Sequence, residues 1–350
     1  MLRAEARIDA DAIARNCARL REVAGTRLCA VVKAEGYGHG AVTAARAARR
    51  GGADWLAVAT AEEARALGDD GPLLVMGAIS AEELPVALEA RAEVVVWRRE
   101  FLDRLPDGAR VHVKLDTGMG RLGTRDVTEA IDVAREAARR GMLVGAMTHF
   151  ATSDDDPGFA REQLRSFAGF LHEIDGLTPD LIAHAANSAA ALGIPESRLD
   201  LVRCGIAAYG LDPFQRDPAD QGLEPAMTLA SYVAEVKPIA AGQSAGYGRT
   251  YVAERDGLLA TLPIGYADGV RRALSNNADV LIRGRRFPLA GTVSMDNITV
   301  AVDDSVQRGD EAILIGAQGD ERILAEEWAE TLGTINYEIT CGVSARVPRT

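Results

Sequence analysis

Short apolar segments alternate with helix-like segments through the first part of this 350-residue chain, and that alternation limits the possible folds most strongly. The predicted strands are Leu28–Val32, Trp55–Ala59, Leu73–Gly77, Glu93–Trp97, Val111–Leu115, Leu143–Phe150, Leu181–Ala186 and Leu201–Tyr209. The predicted helices are Ile8–Val23, Ala41–Arg50, Ala61–Leu67, Ala81–Ala90, Thr128–Arg140 and Arg161–Ile174. Short apolar runs with few charges are typical of parallel strands buried on both faces. Eight of them alternating with helices predict a (β/α)8 barrel, with a doubly wound parallel sheet as the alternative.

The sequence changes character after Leu211, where prolines among polar residues indicate a connector. Beyond it, alternating patterns predict strands at Leu229–Val236, Gly257–Leu262, Val280–Ile282, Ile298–Val302 and Glu311–Ile315, and a single helix at Ala325–Leu332. We therefore expect an α/β protein with an N-terminal (β/α)8 barrel over residues 9–222 and a C-terminal mostly-β domain over residues 223–350. Residues 1–8 can add a strand to the second domain.

Polar side chains lie at or near the carboxyl ends of five of the eight predicted barrel strands. They are Lys33, the pair Lys114 and Asp116, His149, the pair Asn187 and Ser188, and Arg203. In (β/α)8 enzymes the catalytic groups lie at the carboxyl ends of the strands. A buried ammonium group is costly unless its pKa falls or it bonds covalently, so Lys33 is a candidate Schiff-base lysine. From this segment alone, a lysine that reaches solvent beyond the strand explains the pattern equally well.

Composition argues against several classes of function. The 39 Lys and Arg residues against 51 Asp and Glu residues give a net charge of −12, which disfavours nucleic acid or an anionic membrane surface as a partner. No apolar run is long enough to span a membrane, and the N-terminus lacks a signal-peptide core. The four cysteines show no CxxC pair, which favours the cytoplasm.

The segment Val31–Gly40 (VVKAEGYGHG) resembles the pyridoxal-phosphate attachment motif of alanine racemases. The segment Val113–Gly123 (VKLDTGMGRLG) is similar to the second signature of that family. Further similar stretches, in family order, are Thr148–Ala151, His184–Ser188, Arg203–Ile206, Gly246–Gly248, Ile264–Gly269, Ser294–Asp296 and Thr334–Glu338. The resemblance thus extends over essentially the whole chain.

The resemblance implies a TIM-like barrel that carries pyridoxal 5′-phosphate, in a homodimer where the β domain of a second subunit completes each site. It implies interconversion of L- and D-alanine, supplying D-alanine for peptidoglycan. Lys33 is implied as the Schiff-base lysine and the base on one face of the substrate, and the partner subunit's Tyr247 as the opposite base. Because a tyrosine with its ordinary pKa of about 10 is a poor base at neutral pH, a relay of His149 and Arg203 is implied beside it.

The resemblance also implies binding roles. Arg203 would donate to the pyridine nitrogen, and since guanidinium stays charged, that nitrogen would remain unprotonated. The other cofactor contacts are implied for Tyr37, Asn187, Ser188, Gly205 and Ile206. Substrate binding is implied for Arg121 and for the backbone of the partner subunit's Met295, which contact the carboxylate. It is also implied for Lys114, which is carbamylated in much of the family and can then hold Arg121. An entry corridor is implied for Tyr266, Asp154 and Arg272, and no metal is implied.

One position departs from the family pattern. Ala345 stands where many members carry a tyrosine that contacts the phosphate and narrows the pocket. A roomier pocket would accept side chains larger than methyl, which makes a serine or broad-specificity racemase one alternative. Another alternative is a pyridoxal-phosphate-dependent decarboxylase of the related barrel-plus-β-domain fold, although the cysteine motif of those enzymes is not evident. A cofactor carrier without catalysis would not need the second domain.

Overall fold

The computed structural model describes residues 2–68 and 71–350, which form two compact units. The first, here called the barrel unit, comprises Ala10–Phe214 and Gln221–Glu224. The second, here called the β unit, comprises residues 2–9, Gln215–Asp220 and Pro225–Thr350. The two ends of the chain therefore belong to the same unit.

Eight parallel strands form the core of the barrel unit, and they follow β1 (Ala4–Ile8), which belongs to the β unit. The barrel strands are β2 (Arg27–Val31), β3 (Trp55–Val58), β4 (Leu73–Val75), β5 (Glu93–Val96), β6 (Val111–Lys114), β7 (Leu143–Met147), β8 (Ile182–His184) and β9 (Leu201–Cys204). They pair in the order β8-β7-β6-β5-β4-β3-β2-β9. Between β8 and β9, the Arg203 amide donates to the Ala186 carbonyl at 2.9 Å. The predicted (β/α)8 barrel is confirmed, and the doubly wound sheet is wrong.

Helices separate these strands and lie in the same unit. Their bounds are Ala10–Ala24, Ala41–Arg50, Ala61–Leu67, Leu84–Glu89, Arg99–Leu102, Val127–Arg139, Pro157–Glu173 and Ser188–Gly193. Side-chain caps explain where several of them begin: Asp126 and Asp156 each accept two backbone N–H groups, and Thr60 forms a reciprocal capping box with Glu63. The Asp126 and Asp156 caps also fix where the loops that carry Asp116 and His149 end.

All eight barrel strands end before their predicted ends, and the difference is largest in two of them. The strand predicted at Leu143–Phe150 ends at Met147, and the one predicted at Leu201–Tyr209 ends at Cys204. In the second case the backbone of Gly205 (φ −104°, ψ −90°) leaves the extended conformation, and a 3₁₀ turn follows at Ile206–Tyr209. All four residues of that turn are buried, so their apolar pattern cannot be distinguished from that of a buried strand.

The β unit contains eleven strands among its described residues. After β1 these are β10 (Met227–Tyr232), β11 (Glu235–Ile239), β12 (Ser244–Ala245), β13 (Tyr251–Val252), β14 (Gly257–Leu262), β15 (Asp279–Ile282), β16 (Arg285–Pro288), β17 (Ile298–Val302), β18 (Glu311–Gln318) and β19 (Glu321–Ile323). The main sheet has the order β1-β10-β18-β15-β16, with β19 paired to β18, and a second sheet has the order β11-β14-β17. Strand β1 lies antiparallel to β10, from Ala4 opposite Ser231 to Ile8 opposite Met227.

Two predictions for this unit are wrong. The single strand predicted at Leu229–Val236 is two strands in two sheets, because the Val233 amide donates to Asp310 while the next amide, of Ala234, donates to Thr261. A second helix, Asn336–Cys341, follows the predicted one at Ala325–Leu332. It is only six residues long, which is too short for helical periodicity to be read. Among the described residues, no helix combines the length and apolar character needed to span a membrane.

Candidate active site

The polar residues predicted at strand ends do lie directly after, or at the end of, their strands in the barrel unit. Lys33 follows β2, Lys114 ends β6, His149 follows β7, and Asn187 and Ser188 follow β8. Arg203 is the next-to-last residue of β9, with Gly205 and Ile206 just beyond that strand. The carboxyl ends of parallel barrel strands meet at one face, so these side chains share one end of the barrel.

Lys33 opens a turn of left-handed backbone. The φ angles of Ala34, Glu35, Gly36 and Tyr37 are all between +51° and +60°. This conformation costs about 1–2 kcal/mol for each residue that is not glycine, so surrounding contacts must hold it. One such contact comes from Glu63, whose Oε1 accepts from the Ala34 amide at 2.7 Å, while its Oε2 accepts from the Ala59 amide at 2.8 Å. Strain of this kind is typical of functional sites.

Tyr37 ends this turn and is fixed by aromatic packing. Its ring stacks on Tyr209 with centroids 5.1 Å apart, and the Tyr209 hydroxyl donates to the Val31 carbonyl at 3.0 Å. The Tyr37 hydroxyl lies against Gly205, where a Cβ atom would collide with it. Glycine at 205 is therefore required for the tyrosine hydroxyl to approach the backbone that follows β9.

Ser188 and Asn187 begin the helix Ser188–Gly193. Ser188 Oγ accepts from the Gly205 amide at 3.1 Å, which ties the end of β8 to the end of β9. Asn187 Oδ1 caps the helix by accepting from the Ala190 amide at 3.0 Å, and it also accepts from Ser153 Oγ at 2.9 Å. Tyr37, Ser188 and Gly205 thus form a small polar cradle, which Asn187 supports through its cap.

Arg203 is buried and makes four hydrogen bonds with its terminal nitrogens. Nη2 donates to the carbonyls of Thr148 (2.8 Å) and Ala185 (2.9 Å) and contacts His149 Nδ1 (3.2 Å), and Nη1 contacts His184 Nδ1 (3.0 Å). The third nitrogen, Nε, is buried and has no hydrogen-bond partner among residues 2–68 and 71–350. A buried guanidinium N–H without an acceptor is costly, so this atom points to a ligand that supplies one.

The electrostatics of this end of the barrel are cationic. Burial and the charges of Arg203, Arg121 and Lys33 together lower the pKa of Lys114 to about 8. Burial and the charges of Arg203 and Lys114 hold the pKa of His149 well below its usual range. Burial also lowers the pKa of Arg203 to about 10. A ligand with anionic groups would stabilise these closely spaced positive charges.

Arg121 is carried by the loop between Leu115 and Thr124, which is held closed by Asp116. Asp116 Oδ1 accepts from the amides of Gly118 (3.1 Å) and Gly120 (3.0 Å), and the Asp116 amide donates to the Thr124 carbonyl at 2.8 Å. Asp116 is buried, whereas Arg121 is exposed. The carboxylate therefore fixes the loop from inside and leaves the arginine to face outward.

The β unit carries the remaining candidate residues, and three of them are unusually exposed. Tyr247 is 72% exposed, Met295 51% and Tyr266 42%. Their loops are joined: the Tyr266 amide donates to the Ser294 carbonyl at 2.9 Å, and Thr292 Oγ1 donates to the Tyr247 carbonyl at 2.8 Å. Of the corridor residues, Tyr266 and the exposed Arg272 lie in this unit, and the exposed Asp154 lies in the barrel unit.

Two family models match the chain, the alanine racemase N-terminal domain over residues 8–213 and the C-terminal domain over residues 226–350. The chain belongs to the alanine racemase family. The alanine racemase of Symbiobacterium thermophilum is 45% identical over 98% of this chain and 96% of that protein. The alanine racemase of Thermobifida fusca is 42% identical over 99% of this chain and 97% of that protein.

Solved alanine racemases have the same fold. The crystal structure of the enzyme from D-cycloserine-producing Streptomyces lavendulae superposes with a TM-score of 0.94 and 39% identity, covering 100% of this chain and 97% of that one. The structure of the Bacillus anthracis enzyme with bound L-Ala-P superposes with a TM-score of 0.89 and 36% identity, covering 100% and 95%. The predicted resemblance to alanine racemases, and with it the prediction of an enzyme, is confirmed.

Two residues that support this candidate site are not predicted from the sequence. Gln163 is buried, and its amide accepts from the Ala151 amide (2.9 Å) and donates to the His149 carbonyl (3.2 Å). Nothing in the helical pattern around Gln163 distinguishes it from a solvent-facing residue. Glu63 could have been found as a helix cap, since Thr60 and Glu63 have capping-box spacing, but its bond to the Lys33 turn depends on the tertiary fold.

Proposed function

We propose that this chain interconverts L- and D-alanine with pyridoxal 5′-phosphate held at Lys33. The observation that carries the proposal is the buried Arg203 Nε, which has no partner among the described residues and lies at the same barrel end as Lys33. The aromatic ring nitrogen of the cofactor is an acceptor that would receive the hydrogen bond of the Arg203 Nε–H group. The membership in the alanine racemase family supports the same assignment.

The described residues fit this cofactor. Lys33 would hold it covalently, Arg203 Nε would donate to its ring nitrogen, and the cradle of Tyr37, Ser188 and Gly205 would receive its phosphate, with Ile206 next to it and Asn187 behind. Because guanidinium stays charged, that ring nitrogen would stay unprotonated. When bound, the cofactor supplies an electron-withdrawing system that makes the α-proton of an amino acid acidic enough to remove.

The protein must then supply a base on each face of the substrate. We assign one face to Lys33 and the other to the partner subunit's Tyr247, since a tyrosine that is 72% exposed in its own chain is available to enter another subunit. Arginine can only donate, so His149 Nδ1 accepts from Arg203 and the ring proton lies on Nε2, an assignment made from the hydrogen bonds. That N–H can donate to a phenolate oxygen and so stabilise the charged form of the partner subunit's Tyr247.

The substrate carboxylate would meet Arg121, whose planar fork suits two oxygens, and the backbone of Met295 from the partner. Lys114 supports this arrangement in a different way. Since its pKa falls to about 8, an appreciable part of it is uncharged near neutral pH and can react with carbon dioxide. The resulting carbamate is an anion, and we assign it to holding Arg121 in place. Tyr266, Asp154 and Arg272 remain proposed for the entry corridor.

The exposed side chains of Tyr247, Tyr266 and Met295 support a homodimer, since large apolar side chains grouped on a surface are typical of an interface. The four free cysteines support a reducing cytoplasm. In that setting we propose that the product D-alanine serves peptidoglycan synthesis.

The test of this function is to incubate the purified holoenzyme with L-alanine in deuterated water. We expect D-alanine to accumulate until the L- and D-enantiomers are present in equal amounts. The product should carry deuterium at its α-carbon, because the removed proton exchanges with solvent. Release of carbon dioxide from a basic amino acid, with no racemisation of alanine, would favour the decarboxylase instead. A protein that binds the cofactor but does neither would contradict both.

Asp116 offers a test of the proposed role of Arg121. We expect Asp116→Ala to raise KM for alanine about tenfold with a smaller change in kcat, because losing the buried acceptor frees the loop that carries Arg121. The matched control is Asp126→Ala, which removes a helix cap nearby without touching that loop. An unchanged KM in Asp116→Ala, or an equal rise in the control, would argue against this role.

Ala345 favours some activity on serine, because it is exposed and lacks the tyrosine ring found in many relatives. We expect Ala345→Tyr to lower kcat/KM for serine relative to alanine by about tenfold, the effect of one lost contact of about 1.4 kcal/mol. Steady-state rates for both amino acids with both proteins check this. An unchanged serine-to-alanine ratio would show that another residue sets the pocket size.

A further inference from the structure

A buried hydrogen-bonded chain connects Arg203 to a carboxylate elsewhere in the barrel. Arg203 Nη1 contacts His184 Nδ1 at 3.0 Å, His184 Nε2 contacts His112 Nδ1 at 2.8 Å, and His112 Nε2 contacts Glu93 Oε2 at 2.8 Å. The four residues lie on β9, β8, β6 and β5, and each is at most 3% exposed. None of the binding or catalytic roles assigned above uses Glu93 or His112.

Only one distribution of protons fits the hydrogen bonds between these four residues. Arg203 has no acceptor atom, so it donates to His184 Nδ1, and the His184 proton must lie on Nε2. That N–H donates to His112 Nδ1, so the His112 proton also lies on Nε2 and points at Glu93. The Glu93 carboxylate only accepts, so it fits the proton that Arg203 places on His112 Nε2. Both imidazoles are then neutral. The charge of Glu93 thus faces that of Arg203 through two polarised rings.

A glycine on strand β7 makes room for the contact between His112 and His184. Strand β7 runs between β6 and β8, and its residue opposite His112 is Gly145. A Cβ atom at Gly145 would collide with His112 Nδ1, the atom that meets His184. Only glycine at this position lets the His112 ring reach past β7. The two imidazoles meet edge to face, with centroids 4.9 Å apart.

Arg203 needs such a counter-charge. Within the part of the chain that the structure describes, no carboxylate forms an ion pair with it, and its bonds go to carbonyls and imidazoles. Glu93 itself is well held: Trp55 Nε1 donates to it at 2.9 Å and Arg110 Nε at 2.8 Å. Although burial opposes ionisation, the hydrogen bonds from His112, Trp55 and Arg110 hold the pKa of Glu93 below its usual range. The Arg110 side chain is 58% exposed, so water screens its charge and leaves Glu93 able to compensate a buried cation.

We propose that Glu93 is a positioning residue that holds the Arg203 guanidinium charged and correctly oriented through His112 and His184. The inference rests on the proposed function, in which Arg203 Nε meets the ring nitrogen of the cofactor. Removing one member of a buried charge pair leaves the other uncompensated, which is strongly unfavourable. Without Glu93, the guanidinium would shift or draw in water, and its contact with the cofactor would change. Glu93 touches neither cofactor nor substrate in this assignment.

The first test uses the native holoenzyme and needs no variant. The chain has only five histidines, so nitrogen-15 labelling of histidine gives few signals to assign. We expect His112 and His184 each to be neutral and to carry the proton on Nε2, as long-range proton–nitrogen correlation spectra report. A proton on Nδ1, or a doubly protonated ring, at either residue would overturn the proposal. This result does not depend on whether the protein racemises alanine.

The second test compares variants of the holoenzyme. Glu93→Gln keeps the shape and removes the charge, and His112→Phe interrupts the chain while leaving Glu93 in place. For both we expect a shifted absorbance maximum of the bound cofactor and a kcat about tenfold lower, with KM for alanine within about twofold of native. The control Trp55→Phe removes one hydrogen bond to the same carboxylate oxygen and should leave the absorbance and kcat native.

Each outcome has a clear meaning. Native absorbance and kcat in Glu93→Gln would overturn the proposal. An effect in Glu93→Gln but not in His112→Phe would overturn the role of the imidazoles. If Trp55→Phe behaves like the other two, the residues only stabilise the fold, and the proposal is again wrong. A native protein with the expected imidazole protons but no racemisation would count against the proposed function alone.

Discussion

Replacing Lys33 with alanine is expected to abolish both cofactor attachment and racemisation. The turnover should fall by at least about a thousandfold, because the variant loses the covalent attachment point and one of the two bases at once. The position of Lys33 supports this expectation. It follows a buried strand and opens a left-handed turn that Glu63 holds in place.

The measurement is unusually direct because the chain has only three lysines, Lys33, Lys114 and Lys237. Borohydride reduction of the holoenzyme followed by peptide mapping should place the cofactor on Lys33 alone. Lys237 lies exposed on β11 in the β unit, so Lys237→Ala is a matched control and should keep both absorbance and turnover. Cofactor found on Lys114, whose pKa is lowered to about 8, would show that Lys114 and not Lys33 is the attachment residue.

Much of the barrel end could be predicted because its signals are local. A strand buried on both faces is visible as a short apolar run, and the first polar residue after it marks the strand end. This pattern predicts Lys33, His149 and Arg203 at the carboxyl ends of their strands. The left-handed turn after Lys33 could not be predicted, since Ala34 and Glu35 are residues that ordinarily avoid that conformation.

The chain from Arg203 to Glu93 could not be predicted for a different reason. Glu93 begins a predicted strand, and a carboxylate there would ordinarily be expected to face solvent. Its partners His112 and Trp55 come from two other strands, and only the closure of the barrel brings these side chains together. The break between β10 and β11 is similar, because the amides of Val233 and Ala234 bond to different sheets, a fact that no periodicity encodes.

Replacing Tyr247 with phenylalanine is expected to remove racemisation while leaving the cofactor attached. The variant keeps Lys33, the cradle around Ser188 and the Arg203 guanidinium, so the absorbance of the bound cofactor should stay close to native. Turnover should fall by about a hundredfold or more, since one of the two proton transfers loses its base. The control is Tyr251→Phe, because the Tyr251 ring packs against an apolar cluster in the same unit and should tolerate loss of its hydroxyl.

Mixing the two inactive variants then tests whether the site is shared between subunits. In a mixed dimer of Lys33→Ala and Tyr247→Phe chains, one site combines an intact Lys33 with the intact tyrosine of the other chain, and the second site has neither. Random exchange makes half of the dimers mixed, so about a quarter of native turnover should return after subunits are allowed to reassort. Mass spectrometry of the intact dimers measures the mixed fraction independently. If mixed dimers form but remain inactive, Lys33 and Tyr247 do not meet across the interface, and the two-base assignment fails.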